Sequence, residues 1–201
     1  MQNESAWQRA LQAAAEQLGV AVASIMAIDE VESRGAGFLA DGRPVILFER
    51  HIMYRRLKKA GRNADDIARR YPALVNATPG GYKGGAQEWY RLTLARQIDA
   101  DIADESASWG RYQIMGFHWQ ACGFTSIADF VAFMDESEAR QLDAFVAFVK
   151  ADPALNKALK AGKWAEVAKR YNGPDYKKND YDTKLAAAYE RHAVPPASEV
   201  A

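Results

Sequence analysis

Apolar residues recur at helical spacing over most of the chain. Between residues 5 and 18, Trp7, Leu11, Ala14 and Leu18 fall three or four positions apart, and Gly19 follows as a stop. A second helix is expected over residues 22–33, with Gly35 beyond its end. The texture then changes. Residues 37–40, the dipeptide Asp41-Gly42 and residues 44–48 read as a short β-hairpin, because Asp-Gly is a strong turn signal. Helical patterns resume over 51–59, 65–70 and 87–98, separated by a loop at 76–85 that holds five glycines or prolines. Residues 107–117 read as irregular. Ser126 starts a further helix with Ile127, Phe130, Val131 and Met134 on one face, and Leu142, Phe145, Val146 and Val149 form the next apolar set. Asp152-Pro153 is a cap followed by proline at the first helical position. Helices over 164–171 and 181–191 close the pattern.

These elements predict an α+β fold, predominantly α-helical, with a small β-hairpin or sheet after the second helix. Repeats and low-complexity linkers are absent, so residues 1–193 are expected to form a single domain. Residues 194–201, with two prolines and no periodicity, are expected to form a flexible tail. No apolar run approaches the roughly 18–20 residues that span a bilayer. Glu4, Gln8 and Gln12 interrupt the N-terminal segment, so no classical secretory signal is expected. A single cysteine, Cys122, excludes an internal disulfide framework and fits synthesis in a reducing cytoplasm.

Charge adds little until it is read locally. Basic and acidic residues balance at 26 each. Residues 49–71 carry eight basic and three acidic side chains, and residues 97–145 carry two basic and nine acidic ones. Such patches can steer an anionic polymer or be solvated helix faces. Nothing resembles the basic, aromatic-interleaved surface of a nucleic-acid binder.

The candidate chemistry begins at Glu32. At about 100° per residue, Ile25, Ile28 and Glu32 share one helical face and Glu30 points the other way. An acid on an apolar face at a helix C-terminus is disfavoured as a carboxylate by burial and by the helix dipole. A carboxyl kept protonated can deliver the proton that glycosidic cleavage requires. The plain alternative is a buried glutamate paired with Arg34 or Arg50.

Further segments bear on that choice. They are Glu32-Ser33, the stretch Ser108-Trp109-Gly110-Arg111-Tyr112-Gln113-Ile114-Met115-Gly116, and Tyr171-Asn172-Gly173. In this order they resemble the catalytic Glu-Ser, the Ser-x-Gly-x-x-Gln-Ile-like and the Tyr-Asn-Gly-like segments of the lysozyme-like superfamily. The resemblance is closer to phage-type N-acetylmuramidases, the endolysin family. It rests on Val31-Glu32-Ser33-Arg34-Gly35, Leu47-Phe48-Glu49-Arg50-His51, Gly80-Gly81-Tyr82-Lys83-Gly84-Gly85 and Ser108 to Gly116. It implies a lysozyme-like fold and Glu32 as general acid. Gln113 would line the cleft, Tyr171 and Asn172 would sit beside Glu32, and Ser108 and Trp109 would form cleft wall. Tyr82 and Lys83 would face the glycan.

Glu49 is the first choice for a second carboxylate, because in related enzymes that acid often lies on the hairpin; a salt bridge with Arg50 or Arg34 is its structural alternative. Asp41 reads as a turn former, and Asp104 and Glu105 are lesser candidates. Cys122 reads as a small buried hydrophobe, and the three histidines have no metal-ligand spacing with it. The resemblance implies no metal and no cofactor.

The expected activity is hydrolysis of the β-1,4 bond between N-acetylmuramic acid and N-acetylglucosamine in bacterial peptidoglycan. The protein is expected to be a monomer, made in the cytoplasm and acting on the wall after release. Two alternatives stay open: a lytic transglycosylase forming 1,6-anhydro products, and a non-catalytic wall-binding phage module.

Overall fold

The structure, a computed structural model, describes residues 5–32, 36–173 and 176–194. Ser33, Arg34 and Gly35 of the Glu-Ser segment lie outside them, as does the tail beyond Val194. In chain order the described helices are α1 (Ala6–Leu18), α2 (Val22–Glu32), α3 (Arg50–Lys59), α4 (Ala64–Arg70), α5 (Ala86–Arg96) and α6 (Ala100–Glu105). They continue with α7 (Ile127–Glu136), α8 (Glu138–Ala151), α9 (Pro153–Lys160), α10 (Trp164–Asn172) and α11 (Tyr181–Ala193). Three short strands are β1 (Ile46–Phe48), β2 (Ala107–Trp109) and β3 (Ile114–Met115). This is the mostly helical α+β class that the apolar spacing predicts. The chain divides into two compact units, residues 1–35 with 142–201 and residues 36–141.

The first unit is all helical. Ser5 caps α1 in a reciprocal box: its hydroxyl accepts from the Gln8 amide at 3.1 Å, and the Gln8 side chain accepts from the Ser5 amide at 2.8 Å. Gly19, at φ 65°, ends the helix in the left-handed region. Leu11, Ala14 and Leu18 are buried as their spacing predicts, and Trp7 is half-buried. Helix α2 is buried on most sides, through Ala23, Ile25, Ala27 and Ile28, and packs against α11 and α1. Phe145, Val149, Leu155, Leu159, Val167 and Leu185 add the remaining large apolar groups of this core. Each such side chain contributes about 1.5–3 kcal/mol when taken fully out of water. Asp152 caps α9 by accepting from the amides of Ala154 and Leu155, both at 3.0 Å, with Pro153 at the first position.

The second unit holds the sheet. Its order is β1-β2-β3, antiparallel throughout, with Ile46 opposite Trp109, Phe48 opposite Ala107, and Ser108 opposite Met115. This corrects the hairpin expectation. Residues 37–45 do turn back on themselves: Leu39 N–H donates to Arg43 O at 2.7 Å and Val45 N–H to Gly37 O at 2.9 Å. Only the Phe38–Pro44 bridge results, however, and the strand that follows pairs with β2 instead. Pro44 has no N–H with which to extend a ladder, and the apolar β1 is drawn to a partner some sixty residues away. The segment expected to be irregular thus supplies two of the three strands. Helix α6 was also not evident from spacing; it is six residues long and capped by Asp99, whose side chain accepts from Ile102 N–H at 3.2 Å. Phe48, Met53, Leu57, Leu92, Trp109, Tyr112, Phe130 and Met134 form this unit's core.

Candidate active site

Glu32 is the last residue of α2 and is half-buried. Ile25 and Ile28, on its face, are buried, whereas Glu30 is exposed and pairs with Arg191 and with His192 Nε2 at 2.9 Å. Hydrogen bonding to Arg191 holds the Glu30 carboxyl below its ordinary range. The two acids, two residues apart, therefore sit in different surroundings, as the helical arithmetic predicts. Asn172 closes α10, and its side-chain Nδ2 donates to Glu32 Oε1 at 2.9 Å. Its Oδ1 is buried with no partner among the described residues. Gly173, at φ 84°, turns the chain immediately afterwards. Tyr171 sets its ring edge-on to Phe145 and Phe148, with centroids 6.1 and 5.6 Å away. The Glu-Ser and Tyr-Asn-Gly segments are thereby brought together, with the amide of Asn172 as the contact to the acid.

Glu49 lies in the second unit, between β1 and α3. Its backbone N–H donates to Ser106 O at 2.9 Å. Its carboxylate is largely shielded, with 16% of the side chain exposed, and accepts from Tyr82 Oη at 2.8 Å. His51 Nδ1 lies 3.0 Å from the same oxygen. Burial, helped by Arg55 and Arg50, lowers the His51 pKa against the opposing pull of Glu49. Burial thus favours the neutral imidazole, and Nδ1 makes no hydrogen bond among the described residues. Tyr82 shows the converse: burial first, then the carboxylate it bonds, push its phenol up to about 12. It remains a donor across the physiological range. Arg50, the alternative partner, reaches the loop instead, donating to Thr78 O and Pro79 O, both at 3.0 Å.

The loop bearing Tyr82 is fastened from below by a pair that spacing did not single out. Glu88 is wholly buried and Arg91 nearly so, with 2.6 Å between them. Glu88 accepts from the backbone N–H groups of Lys83, Gly84 (3.0 Å) and Phe48 (3.2 Å). Arg91 donates to Phe48 O at 2.9 Å and Ala73 O at 3.2 Å. Burial opposes ionisation of Glu88, but the Lys83 and Gly84 amides and the Arg91 charge prevail and keep its pKa low. The available signal was a glutamate and an arginine three apart at the start of a helix, which usually marks an exposed pair.

The Ser108–Gly116 segment is tied internally. Gln113, at φ 48°, accepts from Ser108 Oγ at 2.8 Å through Oε1 and donates to Gly110 O at 2.8 Å through Nε2. Ser108 is buried. Trp109 has no exposed surface; its ring meets Trp89 edge-on at 5.6 Å and its Nε1 donates to Asp104 O at 3.0 Å. Trp109, expected in the cleft wall, is thus a core side chain. The half-buried Gln113 amide likewise braces the β2–β3 turn. Both glycines have a spatial reason. Gly110 sits at φ 68° with Gln141 2.6 Å from where a Cβ would be, and at Gly116 a Cβ would press on the Asp104 carbonyl.

The remaining candidates are structurally engaged. Asp41 accepts from Arg43 through its backbone and guanidinium, a turn former as expected. Asp104 bonds Arg96 at 2.7 Å and Glu105 bonds Arg56 and Trp119. Cys122 is half-buried, and burial pushes its thiol up to about 11. Among the described residues no group of His, Cys, Asp or Glu is placed to hold a metal ion. No single described helix is long and apolar enough to cross a membrane.

A helical lysozyme-like fold with a short antiparallel sheet, and an acid at a helix end held by the asparagine of a Tyr-Asn-Gly segment, define the class. The family model of N-acetylmuramidase matches residues 21–193, and the chain belongs to that family. Among solved structures it is similar to the endolysin of Burkholderia AP3 phage, at 53% identity and a TM-score of 0.86. That match covers 92% of this chain and 71% of the other. No curated protein sequence matches. Membership makes bacterial peptidoglycan the substrate class and glycan hydrolysis the class of activity.

Proposed function

We propose that the protein hydrolyses the β-1,4 bond between N-acetylmuramic acid and N-acetylglucosamine, with Glu32 as general acid. The observation that supports this most is the Asn172–Glu32 hydrogen bond. A donor on Oε1 makes that oxygen the carbonyl-like one, so the proton of the neutral acid belongs on Oε2, from which it passes to the leaving oxygen. Glu49 is proposed as the second carboxylate, which activates water or stabilises the oxocarbenium-like transition state; Tyr82 orients it. Of the substrate-contacting residues, Tyr82, Lys83, Tyr171 and Asn172 are retained as glycan neighbours. Ser108, Gln113 and Trp109 brace the β2–β3 segment. Residues 1–193 act as the catalytic region, and the site of action is the bacterial wall.

The test is digestion of purified peptidoglycan by the wild type and by Glu32→Gln, with fragments identified by mass spectrometry. New reducing ends ending in muramic acid, absent with the variant, support the reading. Anhydro-muropeptides would reassign the chain to the transglycosylases and make Glu49 structural. Wall binding without cleavage by the wild type would make it a binding module.

A further inference from the structure

The second unit carries a groove of about 720 Å³, of whose lining the catalytic reading uses only Lys83. Helix α5, residues 70–74, and Gly81 and Lys83 of the loop line it. Its size is that of a site for a small peptide or drug-sized ligand. Leu74, Leu94, Pro72 and Ala73 give it an apolar bed. Among the described residues the exposed large hydrophobic side chains are Tyr71, Tyr82, Tyr90 and Val194. Tyr71 and Tyr90 line this groove, and Tyr82 lies between its two loop residues. Two of the four thus lie in one groove, where water contact costs free energy unless something covers them.

The charge of the lining is one-sided. It contains Arg70, Lys83 and Arg91 and no carboxylate. Arg91 is neutralised by Glu88. Arg70 shares Asp66 with Arg69, at 2.9 and 3.0 Å, so two guanidinium groups face one carboxylate. A positive excess therefore remains at Arg70, and the Lys83 ammonium adds to it. The lining's side-chain acceptors are Gln87 and the phenols of Tyr71 and Tyr90, with no carboxylate to take sugar hydroxyls in pairs. Small aliphatic side chains with free carboxylates suit it better: methyl groups on the apolar bed and anions beside Arg70 and Lys83.

We propose that this groove is a subsite for the anionic peptide stem of the glycan substrate, recognising its small side chains and carboxylates. The proposal rests on the peptidoglycan reading above. The loop residues that line the groove flank Tyr82, which bonds Glu49, so a seated stem also orders the loop that holds this carboxylate.

The test uses Arg70→Ala/Tyr90→Ala, two residues outside the proposed catalytic set. Cleavage is measured on stem-bearing peptidoglycan and on glycan strands stripped of peptide by an amidase. About a tenfold loss of kcat/KM is expected on the first, the equivalent of one modest polar contact, with the second unchanged. Equal loss on both would make the groove a glycan subsite, and no loss on either would leave it unused; both overturn the proposal. In parallel, Glu32→Gln protein is titrated with L-alanyl-γ-D-glutamyl-meso-diaminopimelate and followed by NMR. Shifts at Tyr71 and Tyr90, lost in the groove variant, are expected, and their absence would also overturn it. If the wild type cleaves neither substrate, the hydrolase reading fails, and the titration still decides whether the groove takes the peptide.

Discussion

Asn172 donates its side-chain amide to Glu32 across 140 residues of sequence, from the end of one helix to the end of another. The contact fixes the rotation of the carboxyl group. Glu32→Gln keeps the shape and the amide contact but removes the transferable proton, and is expected to lower kcat by at least about 10²-fold, the usual contribution of a positioned acid. Asn172→Ala removes only the orienting bond. It is expected to lower kcat about 2- to 10-fold with KM little changed, as for a hydrogen bond to a neutral group of about 0.5–1.5 kcal/mol. Turnover on peptidoglycan, alongside an unchanged circular dichroism spectrum, checks both.

Tyr82 bonds Glu49 through a phenol whose pKa is pushed up to about 12. The neutral phenol is the form the fold prefers. Stability from this contact is therefore complete below the ordinary tyrosine value near 10. It is lost as pH rises from there through about 12. In an ultraviolet titration, subtracting Tyr82→Phe from wild type should leave one late-ionising phenol. Glu49→Gln should bring that phenol to lower pH, because the carboxylate no longer opposes the phenolate. A Tyr82 that ionises with the exposed tyrosines would mean that the contact does not persist in solution.

Glu88 and Arg91 form a buried pair on which strand β1, the loop at 79–85 and the carbonyl of Ala73 converge. Glu88→Gln keeps one acceptor oxygen, for the Lys83 and Gly84 N–H groups, but sets an amide NH2 against the Phe48 N–H and strands the guanidinium. The expected cost is about 3–5 kcal/mol. Differential scanning calorimetry should show a Tm lower by about 6–20 °C for a chain of this size. Replacing both residues by methionine should not restore stability, because the amides of Phe48, Lys83 and Gly84 then lose their acceptor.

Gly116 lies directly against the Asp104 carbonyl, which a Cβ would overlap. Gly116→Ala must push backbone against backbone and is expected to destabilise by about 1–3 kcal/mol or more. Gly84→Ala provides the contrast. There nothing stands within 4 Å of the Cβ, and only the strain of a φ of 76° is felt. Urea unfolding midpoints with unchanged slopes would rank the two.

Much of the helical framework was legible in the chain. Apolar spacing placed most helices, and Ser5, Ser126 and Asp152 marked starts because a side-chain oxygen can satisfy an amide two or three residues on. The same periodicity separated Glu32 from Glu30. All of these are local effects, decided within one or two helical turns. The sheet was another matter. Strand β1 could have paired with its neighbour at 37–40, and it took residues 107–109 because an apolar strand needs an apolar partner, wherever the chain supplies one. Trp109 was expected in the cleft wall and lies in the core, since burial depends on what packs over it. Glu88 looked like a surface acid until the Phe48 amide, 40 residues away, joined those of Lys83 and Gly84 on it. Local sequence thus determined most of the helices and the order of the chemical groups. Tertiary structure decided which groups meet, because hydrogen-bond partners and exclusion of water are set by residues that local periodicity does not connect.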